Sequence, residues 1–500
     1  MNKFEALKQT KDGLDVLPDL PRFASDGFES IPEDDLERLK WAGIFHRKPT
    51  RPYFMMRIRF PGGVATSRQF RILADIAERH GRSLLDLTTR QQIEPRWLPI
   101  EAMPEIQESL TAADLTSLQT GMDNIRGVVS CPLSGISQRE VVDAAPLCTE
   151  FQAMFVGDKA FTNLPRKFNV AITGCTDNCL DTETQDVALI PAMAEIGSAQ
   201  IPGFNVLVGG KQGSGGFRAA EPLNVFVRPE EAAAICRELV LLFRDFGPRE
   251  TRSRARFAFL IEERGIAWVR AQIEERIGHE LPAAGTDARS CQHTDHVGVT
   301  CQRQPGLRAI GLVVPVGRMS SAQMREVARL ADHYGQGELR LTTEQNLIIP
   351  HVPERDVATL LAEPLLREWG PTSEPALRGL ISCTGTEFCN LALIDTKNRA
   401  LSVARELAGR VPPQQQPLRI RWSGCPAACG NHIVADVGLQ GKRIRLPDGR
   451  VVEAVTISVG GRVGPDTRAG RVVMEEVVCD ERLPEVLAQV IADQRVLVGA

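Results

Sequence analysis

Four cysteines near the C-terminus are the residues of this chain best suited to chemistry. Cys383 and Cys389 form a C-x5-C pair, and after 35 intervening residues Cys425 and Cys429 form a C-x3-C pair. Thiolates are soft ligands, and four of them in one place can hold a [4Fe–4S] cube, in which each iron takes one thiolate. A structural zinc site also takes four cysteines, but its pairs usually enclose two residues, so the spacing favours iron–sulfur and leaves zinc as the alternative. Three glycines beside this set would let backbone N–H groups turn toward cluster sulfurs: Gly385, Gly424 and Gly430.

A partial copy of this cysteine set lies in the first half of the chain. Cys175 and Cys179 repeat the C-x3-C pair, and Cys131 lies near the counterpart of Cys383, but the expected fourth position is Ser137. Without a fourth soft ligand a cube is not expected there, and we interpret these three cysteines as relics or packing residues, with a second metal site as the alternative. The other cysteines have no spacing that demands a metal: Cys148, Cys236, Cys291, Cys301 and Cys479.

Both cysteine sets belong to a larger duplication of the chain. Residues 54–93 recur 254 positions later without a gap, and the segment that contains Cys175 recurs 250 positions later. Each copy of the first unit predicts a strand (54–60 in the first copy), a helix ended by Gly81, and a second strand through Leu87. A strand–helix–strand unit that occurs twice implies two half-domains packed about a pseudo-twofold axis. The predicted order is a loop-like N-terminal extension at 1–50, A at 51–125, B at 126–295, A′ at 296–370 and B′ at 371–500.

Composition excludes several classes of protein. The 500 residues are 43% hydrophobic and 24% charged, which excludes a disordered or fibrous chain. With 59 basic and 63 acidic residues the net charge is −4, so no chain-wide attraction to nucleic acid or to a membrane surface is expected. No apolar targeting segment opens the chain, and no apolar run is long enough for a transmembrane helix. We therefore expect a cytoplasmic protein, whose reducing surroundings keep thiolates available to a metal.

The motifs Cys383-Thr-Gly-Thr-Glu-Phe-Cys389 and Ser423-Gly-Cys-Pro-Ala-Ala-Cys429-Gly, together with the duplicated plan, resemble the sirohaem-containing nitrite and sulfite reductases. The likeness covers nearly the whole chain. It implies an internally duplicated α+β fold in which two ferredoxin-like half-domains, A and A′, pair centrally while B and B′ clasp the haem. It also implies a [4Fe–4S] cluster on the four C-terminal cysteines and a sirohaem whose iron is bridged to the cluster by Cys429.

The resemblance implies a set of substrate-side residues as well. Arg57, Arg126, Lys167 and Asn169 would line the distal face of the haem, where cations stabilise anionic intermediates. Arg59 shares a strand face with Arg57 by the period of two, so the two could exchange roles. Only 10 of the 59 basic residues are lysine, which draws attention to Lys167. Without the resemblance, each of these arginines would be interpreted as a solvated surface charge.

A further set is predicted to hold the rim of the cofactor. Thr89, Arg90 and Gln91 follow the end of a repeated strand, and arginine suits a haem carboxylate. The second copy has Glu344 at the place of Arg90, which leaves its role there open. Lys211 lies in a glycine-rich loop that lacks the ending of a P-loop, and we interpret it as a loop near the haem rim.

The implied reaction is a six-electron reduction of a small anion, for which nitrite is favoured. Sulfite reductases of the family tend to carry a second lysine where this chain has Asn169, and the dianion sulfite needs more positive charge than the monoanion nitrite. Reduction of nitrite to ammonium is therefore expected, with reduction of sulfite to sulfide as the alternative. Because no dinucleotide-binding or flavin motif is visible, electrons are expected from a separate carrier, reduced ferredoxin, docking on a basic patch near the cluster.

Two other functions need to be weighed. A corrinoid-hydroxylating enzyme of the same family has shorter chains, and the full set of anion residues argues against it. A non-enzymatic iron–sulfur carrier or sensor would need the four cysteines but not Arg57, Arg126 and Lys167. An absorption spectrum with chlorin bands beside the cluster absorbance would favour the reductase.

Overall fold

The computed structural model describes residues 2–213, 215–290, 293–370, 374–410 and 417–498. Cys291, for which no metal role was predicted, and Ser214, in the glycine-rich loop of Lys211, lie outside the described residues. Helices are abundant and the strands form four sheets, which confirms the predicted α+β class. Within the described ranges, no helix combines the length and the apolar character needed to cross a membrane.

The described residues form twenty strands. In chain order they are β1 (Ile44–His46), β2 (Phe54–Met56), β3 (Val64–Thr66), β4 (Leu84–Leu87), β5 (Ile93–Leu98), β6 (Val170–Ile172), β7 (Val187–Ile196), β8 (Ala199–Val208), β9 (Glu221–Val227), β10 (Thr286–Asp287), β11 (Gly298–Cys301), β12 (Leu307–Leu312), β13 (Arg318–Ser320), β14 (Glu338–Leu341), β15 (Leu347–Pro353), β16 (Leu380–Ser382), β17 (Ile420–Ser423), β18 (Val437–Arg445), β19 (Val451–Val459) and β20 (Arg471–Val478).

The same residues form fifteen α-helices. In chain order they are α1 (Lys3–Thr10), α2 (Leu20–Asp26), α3 (Glu33–Arg38), α4 (Ser67–His80), α5 (Met103–Thr111), α6 (Ala145–Phe155), α7 (Ala232–Phe246), α8 (Phe257–Arg264), α9 (Ile266–Ile277), α10 (Ser321–Tyr334), α11 (Val357–Leu361), α12 (Pro364–Trp369), α13 (Pro375–Arg378), α14 (Lys397–Glu406) and α15 (Leu483–Val498).

The two central sheets exchange a strand. One sheet has the order β1-β2-β5-β4-β13 and the other β11-β12-β15-β14-β3, so each repeat supplies the last strand of the other repeat's sheet. In register, Arg318 on β13 lies opposite Asp86 on β4, and Val64 on β3 lies opposite Arg340 on β14. The helices α4 and α10 pack against each other, and the two repeats share one continuous hydrophobic core. The predicted half-domains are therefore parts of a single unit.

Local signals in the sequence account for the paired helices. Thr66 and Ser320 each begin a helix with a capping box, in which the side chain and a glutamine three residues on satisfy backbone N–H groups. Gly81 ends α4 as predicted. Gly63, with φ of 76°, enters β3 where a Cβ atom would lie 2.6 Å from the Leu341 carbonyl oxygen, so the strand exchange needs glycine at this crossing.

The strand predicted at 54–60 is shorter than expected. Regular pairing stops at Met56, and Ile58 forms only an isolated bridge with Ile93. The reason is that the backbone turns away from the ladder: the Arg59 N–H donates to the Thr116 carbonyl at 2.9 Å instead of to a neighbouring strand.

B and B′ each contain one mixed sheet. In B, β6 pairs parallel with β7, and antiparallel strands β8 and β9 follow, with β10 at the other edge. In B′, the parallel strands β16, β17 and β18 are followed by antiparallel β19 and β20. The cysteines follow the parallel strands in both domains. Cys175 comes soon after β6, Cys383 comes directly after β16, and Cys425 comes soon after β17. The exact domain boundaries stay a prediction.

The expectation of a loop-like N-terminal extension is wrong. Residues 1–50 contain α1, α2 and α3, because their apolar side chains have partners to pack against: Leu7, Leu14 and Trp41 form a small core. The Trp41 indole donates to the Thr162 carbonyl at 2.9 Å, and Lys8 Nζ donates to the Leu164 carbonyl at 2.8 Å. The extension is thus fastened to B.

Candidate active site

A cleft lies between segments of A, B, A′ and B′ and contains about 1080 Å³ of space, part of it open to solvent. It is bordered by the turn after β4, the segment after β6, the turn after β14 and the two cysteine-bearing segments of B′. Of the residues singled out from the sequence, it is lined by Arg57, Thr89, Arg90, Arg126, Lys167, Asn169, Cys383 and Cys429. The fold therefore brings thiols of the C-terminal set beside the predicted cations.

The four C-terminal cysteines lie close enough to act on one another electrostatically. Burial, and after it the charge of Cys429, raises the pKa of Cys383 to about 11. Burial raises the pKa of Cys425 to about 12, with Cys429 and Cys389 acting in the same direction. Without a metal Cys383 and Cys425 would stay protonated at neutral pH, and a cationic metal centre would hold them as thiolates.

Backbone N–H groups turn toward the Cys383 sulfur. Gly424 N donates to Cys383 Sγ at 3.1 Å, and a backbone hydrogen bond from Gly385 also lowers the pKa of that thiol. Gly430, the third glycine singled out, donates its N–H to Ser423 Oγ at 3.0 Å instead. Such donors stabilise negative charge on cluster sulfurs and tune the cluster's potential.

The arrangement fits four irons better than one zinc ion. Ligands of a tetrahedral zinc lie roughly 3.8 Å apart, because each Zn–S bond is about 2.3 Å long. In the part of the chain that the structure describes, the one group of Cys, His, Asp or Glu donors that all lie within 4.8 Å of one another is a different one, formed by Cys131, Cys179 and His296. Among the described residues, no three of the C-terminal thiols meet that criterion, and a four-iron cluster, with one thiolate on each iron, does not require them to.

Cations outnumber carboxylates in the lining of the cleft, five to three. Burial lowers the pKa of Lys167 to about 7, and the charges of Arg256 and Arg126 act in the same direction. Burial also lowers the pKa of Arg126 well below its ordinary value. Asp123, whose charge favours the protonated Arg126, is already bound to Arg252 at 2.6 Å. These cations are short of negative charge, so the cleft fits the carboxylates of a tetrapyrrole and a small anion.

Arg57, not Arg59, faces the cleft. Arg57 Nε donates to Glu94 Oε1 at 2.7 Å, and its guanidinium lies over the ring of Phe45. Arg59 is 1% exposed, and its guanidinium donates to backbone carbonyls. Asn169 also lines the cleft, next to Lys167 in the chain, with its backbone N–H held by a carboxylate oxygen.

Thr89 and Arg90 connect the central unit to the cofactor-side segments. Thr89 Oγ1 donates to the Cys429 carbonyl at 3.1 Å. Arg90 donates to Gln185 Oε1 at 2.6 Å and to the Gly127 carbonyl at 2.7 Å, and burial lowers its pKa to about 10. Both side chains are therefore fixed at the border of the cleft.

Gln91 and Lys211 lie away from the cleft lining. The Gln91 amide is buried and donates to the carbonyls of Ser130 at 2.9 Å and Leu341 at 2.8 Å. Lys211 Nζ donates to the Gly216 carbonyl at 2.7 Å and lies over the ring of Phe259. A contact of either side chain with a cofactor stays a prediction.

Reasoning from the sequence missed Lys397, which also lines the cleft. Its Nζ donates to the Val316 carbonyl and lies 3.9 Å from Asp86 Oδ1, while burial lowers its pKa to about 8. The scarcity of lysine that drew attention to Lys167 could have found this residue too. Neutral polar side chains of the lining were missed because amides and hydroxyls carry no comparable signal, among them Gln212 and Thr384.

The duplicated fold, the thiol quartet and the cationic cleft together define an iron–sulfur oxidoreductase that acts on an anion. The chain belongs to the nitrite and sulfite reductase family: residues 121–281 and 373–496 match the "Nitrite and sulphite reductase 4Fe-4S domain", and residues 46–113 and 302–366 match the "Nitrite/Sulfite reductase ferredoxin-like half domain". The predicted family and its paired half-domains are thereby confirmed. The cofactors are a [4Fe–4S] cluster and a sirohaem.

Individual relatives are similar over nearly their whole length. The ferredoxin–nitrite reductase of Synechococcus elongatus is 44% identical, covering 99% of this chain and 96% of the relative. The assimilatory ferredoxin-dependent nitrite reductase of Haloferax mediterranei is 39% identical, covering 98% and 88%. The solved structure of the Mycobacterium tuberculosis NirA protein superposes with a TM-score of 0.91 at 29% identity, covering 98% of this chain and 93% of that one.

Proposed function

We propose that this enzyme reduces nitrite to ammonium with six electrons delivered singly by reduced ferredoxin: NO2− + 6 e− + 8 H+ → NH4+ + 2 H2O. The observation that carries the proposal is the single cleft that Cys429 shares with Lys167, Arg126 and Arg57. A redox centre needs the thiol and an anionic substrate needs the cations. A reductase that acts on an anion needs both in one place. The names of relatives that are 39–44% identical, ferredoxin–nitrite reductases, support the same substrate and donor.

The residues that would hold the cofactors are those of the C-terminal set and the cleft. Cys383, Cys389, Cys425 and Cys429 would bind the cube, and Cys429, the exposed member that lines the cleft, would bridge to the sirohaem iron. Bound there, the coupled centres would supply electrons one at a time to the nitrogen of the substrate. Arg90, which also lines the cleft, would bind a carboxylate of the tetrapyrrole.

The protein's own contribution is electrostatic and protonic. Arg57 and Arg126 line the cleft and would hold the nitrite oxygens, and their partial burial would limit screening by water. Lys167 Nζ, whose pKa lies near 7, can carry a proton or give it up at physiological pH. Eight protons are consumed in each turnover, so a group poised this way suits proton delivery.

Asn169 supports nitrite over sulfite. It lines the cleft beside Lys167, and as a neutral amide it adds no positive charge for a dianion. The deciding experiment compares kcat/KM for nitrite and sulfite with one reduced donor and quantifies ammonium and sulfide. We expect a higher value for nitrite and six donor electrons per ammonium. A higher value for sulfite would assign the enzyme to the other branch of the family.

The face next to the cluster suits an acidic electron carrier. Leu391 and Leu393, just after Cys389, are 63% and 37% exposed. Arg443 donates to the Leu393 carbonyl at 3.0 Å, and Arg47 lies close enough to Cys389 and Arg443 for their charges to affect its pKa. An apolar centre with cations around it is the pattern expected of a transient interface with an acidic partner. We assign ferredoxin docking to this surface, and we place the enzyme in the reducing cytoplasm, where its cluster thiols would not be oxidised to disulfides.

A further inference from the structure

The three cysteines of the first half form a second buried cluster with a histidine. The donor atoms of Cys131, Cys179 and His296 all lie within 4.8 Å of one another, and Cys131 Sγ is 3.8 Å from His296 Nε2. Cys175 is near enough to Cys131 for each thiol to affect the pKa of the other. All four residues are at least nine-tenths buried. Three potential metal ligands therefore converge on one point, and a fourth, Cys175, lies beside them.

The scaffold of this cluster repeats that of the iron–sulfur cysteines. Thr343 Oγ1 donates to the Cys179 carbonyl at 3.1 Å, and its counterpart Thr89 donates to the Cys429 carbonyl at the same distance. The cluster thus sits at the pseudo-twofold equivalent of the cofactor site. This scaffold holds the cysteines near one another. Cysteines without a function would not need to keep that arrangement.

The fourth ligand differs from that of the cofactor site and changes the metal that fits. At the position of the missing thiolate, Ser137 Oγ accepts the Arg139 N–H at 3.0 Å and is occupied by that contact. His296 takes the fourth place from a different part of the chain, 165 positions from Cys131. Three thiolates and one imidazole make a closed tetrahedral zinc site, with ligands roughly 3.5–3.8 Å apart. The Cys131–His296 separation agrees with this geometry.

The charges around the cluster also suit a cation. Asp177 acts electrostatically on Cys175 and His296, and Asp295 acts on His296. A divalent ion bound there would displace the protons of the cysteine thiols.

We propose that Cys131, Cys175, Cys179 and His296 bind one structural zinc ion. The ion replaces the interpretation of these cysteines as relics. Because His296 directly precedes β11, the first strand of the A′ sheet, the ion ties A′ to B close to the cofactor cleft. All four ligand positions are protein side chains, so the ion has a structural role and takes no part in the reduction.

The test is metal analysis of the cofactor-loaded enzyme, produced with added zinc and purified without chelators. We expect about one zinc per chain in addition to the cofactor irons. X-ray absorption at the zinc edge should show three sulfur ligands at about 2.3 Å and one nitrogen at about 2.0 Å. Wild-type enzyme without zinc, or zinc surrounded by oxygen and nitrogen alone, would overturn the proposal whether or not any variant folds.

Substitutions then assign the ligands. His296→Gln and Cys179→Ala should each lower the zinc content roughly tenfold after dialysis, while the iron content and the visible spectrum stay as in the wild type. Cys236→Ala removes a thiol that is equally buried in the core of B, and it should keep its zinc. Zinc retained in both ligand variants would show that it binds elsewhere and would refute the site.

Discussion

At Lys167, burial and the charges of three neighbouring arginines lower the pKa, and both effects favour loss of the ammonium proton. Arg126 lies half-buried in the same cleft, and although burial lowers its pKa too, a guanidinium is far harder to deprotonate than an ammonium. The two residues therefore divide the work: one supplies permanent positive charge, and the other can exchange a proton. A lysine of ordinary exposure could hold the anion but could not easily release the proton near neutral pH.

Lys167→Ala tests this division. The variant should keep the absorption of both cofactors and lose about 100-fold in kcat/KM for nitrite, because one preorganised electrostatic contact is removed. Steady-state assays with a reduced donor measure the loss. Lys159→Ala, which removes an exposed lysine paired with Asp15, is the matched control and should behave as wild type. Normal turnover in Lys167→Ala would contradict the assignment.

Cys429 is the cysteine proposed to bind both the cluster and the sirohaem. It lines the cleft and its carbonyl is held by Thr89, so its position is fixed by the central unit. Cys429→Ser is expected to abolish nitrite reduction and to lower both the iron content and the chlorin absorption. Cys301→Ser, at an exposed cysteine, should change neither. Retention of the full chlorin spectrum in Cys429→Ser would argue against the bridging role.

At the scale of elements, two equivalent turns hold the repeats together. The Gln345 amide donates to the carbonyls of Leu87 and Ser382, both at 3.0 Å, and accepts the Ser382 N–H at 2.9 Å. Gln91 makes the same three contacts in the other half, with Ser130 in place of Ser382. Each glutamine therefore ties a strand-end turn to the segment that precedes a cysteine.

Gln345→Ala and Gln91→Ala form a matched pair. Each leaves three buried backbone groups without a partner and should lower the free energy of unfolding by about 3 kcal/mol. Because Ser382 directly precedes Cys383, only Gln345→Ala should also speed the loss of cluster iron in air. Denaturant midpoints and the rate of bleaching measure the two effects. Equal bleaching in both variants would show that the turns do not act locally.

At the scale of the whole molecule, one buried carboxylate joins both half-domains and B′. Burial alone would raise the pKa of Asp86, but the charges of Arg96, Lys397 and Arg318 prevail and lower it to about 2. Arg318 Nε donates to Asp86 Oδ1 at 2.9 Å across the exchanged strand. Glu387, in the loop between two cluster cysteines, binds Arg96 at 2.7 Å and Arg318 at 2.6 Å. Strand exchange and cofactor loop are thus linked by one charge network.

Asp86→Asn should therefore lower the free energy of unfolding at neutral pH by roughly 2 to 3 kcal/mol. This is the free energy that corresponds to lowering the pKa of Asp86 from the ordinary carboxyl value of about 4. Since the folded pKa is the lower one, this stability is present above about pH 4 and is lost as the pH falls toward 2. The difference between wild type and variant in denaturant midpoint should be large at pH 7 and smaller at pH 3. Asp75→Asn, at a surface ion pair with Arg325, is the control and should change little. A difference independent of pH would refute the charge network as its cause.

Donor docking is also a property of the whole surface. Arg443→Glu should raise the KM for reduced ferredoxin about tenfold, most strongly at low salt, and should leave the rate with a small artificial donor unchanged. Arg264→Glu, on an exposed helix end of B, provides the control. An equal effect of Arg443→Glu on both donors would mean that the substitution damages the site itself.

Some residues of the cleft were predictable from the sequence, and others were identified only in the structure. Cys383 and Cys429 were predicted from spacing, and Arg57 and Lys167 from the resemblance, because ligand chemistry requires particular residue types at particular intervals. Arg59 could not be told apart from Arg57 this way, since a strand period places both residues on one face. Only the turn of the backbone after Met56 buries Arg59 and leaves Arg57 in the cleft.

Local patterns in the chain were sufficient for the duplication, the capped helices α4 and α10, and the thiol quartet, because each depends on residues near one another or on a repeat that can be counted. The exchange of β3 and β13, the helical N-terminal extension and the meeting of His296 with Cys131 depended on the tertiary structure. They join segments far apart in the chain, and such contacts form only when the burial of a shared core repays the entropy of bringing the segments together.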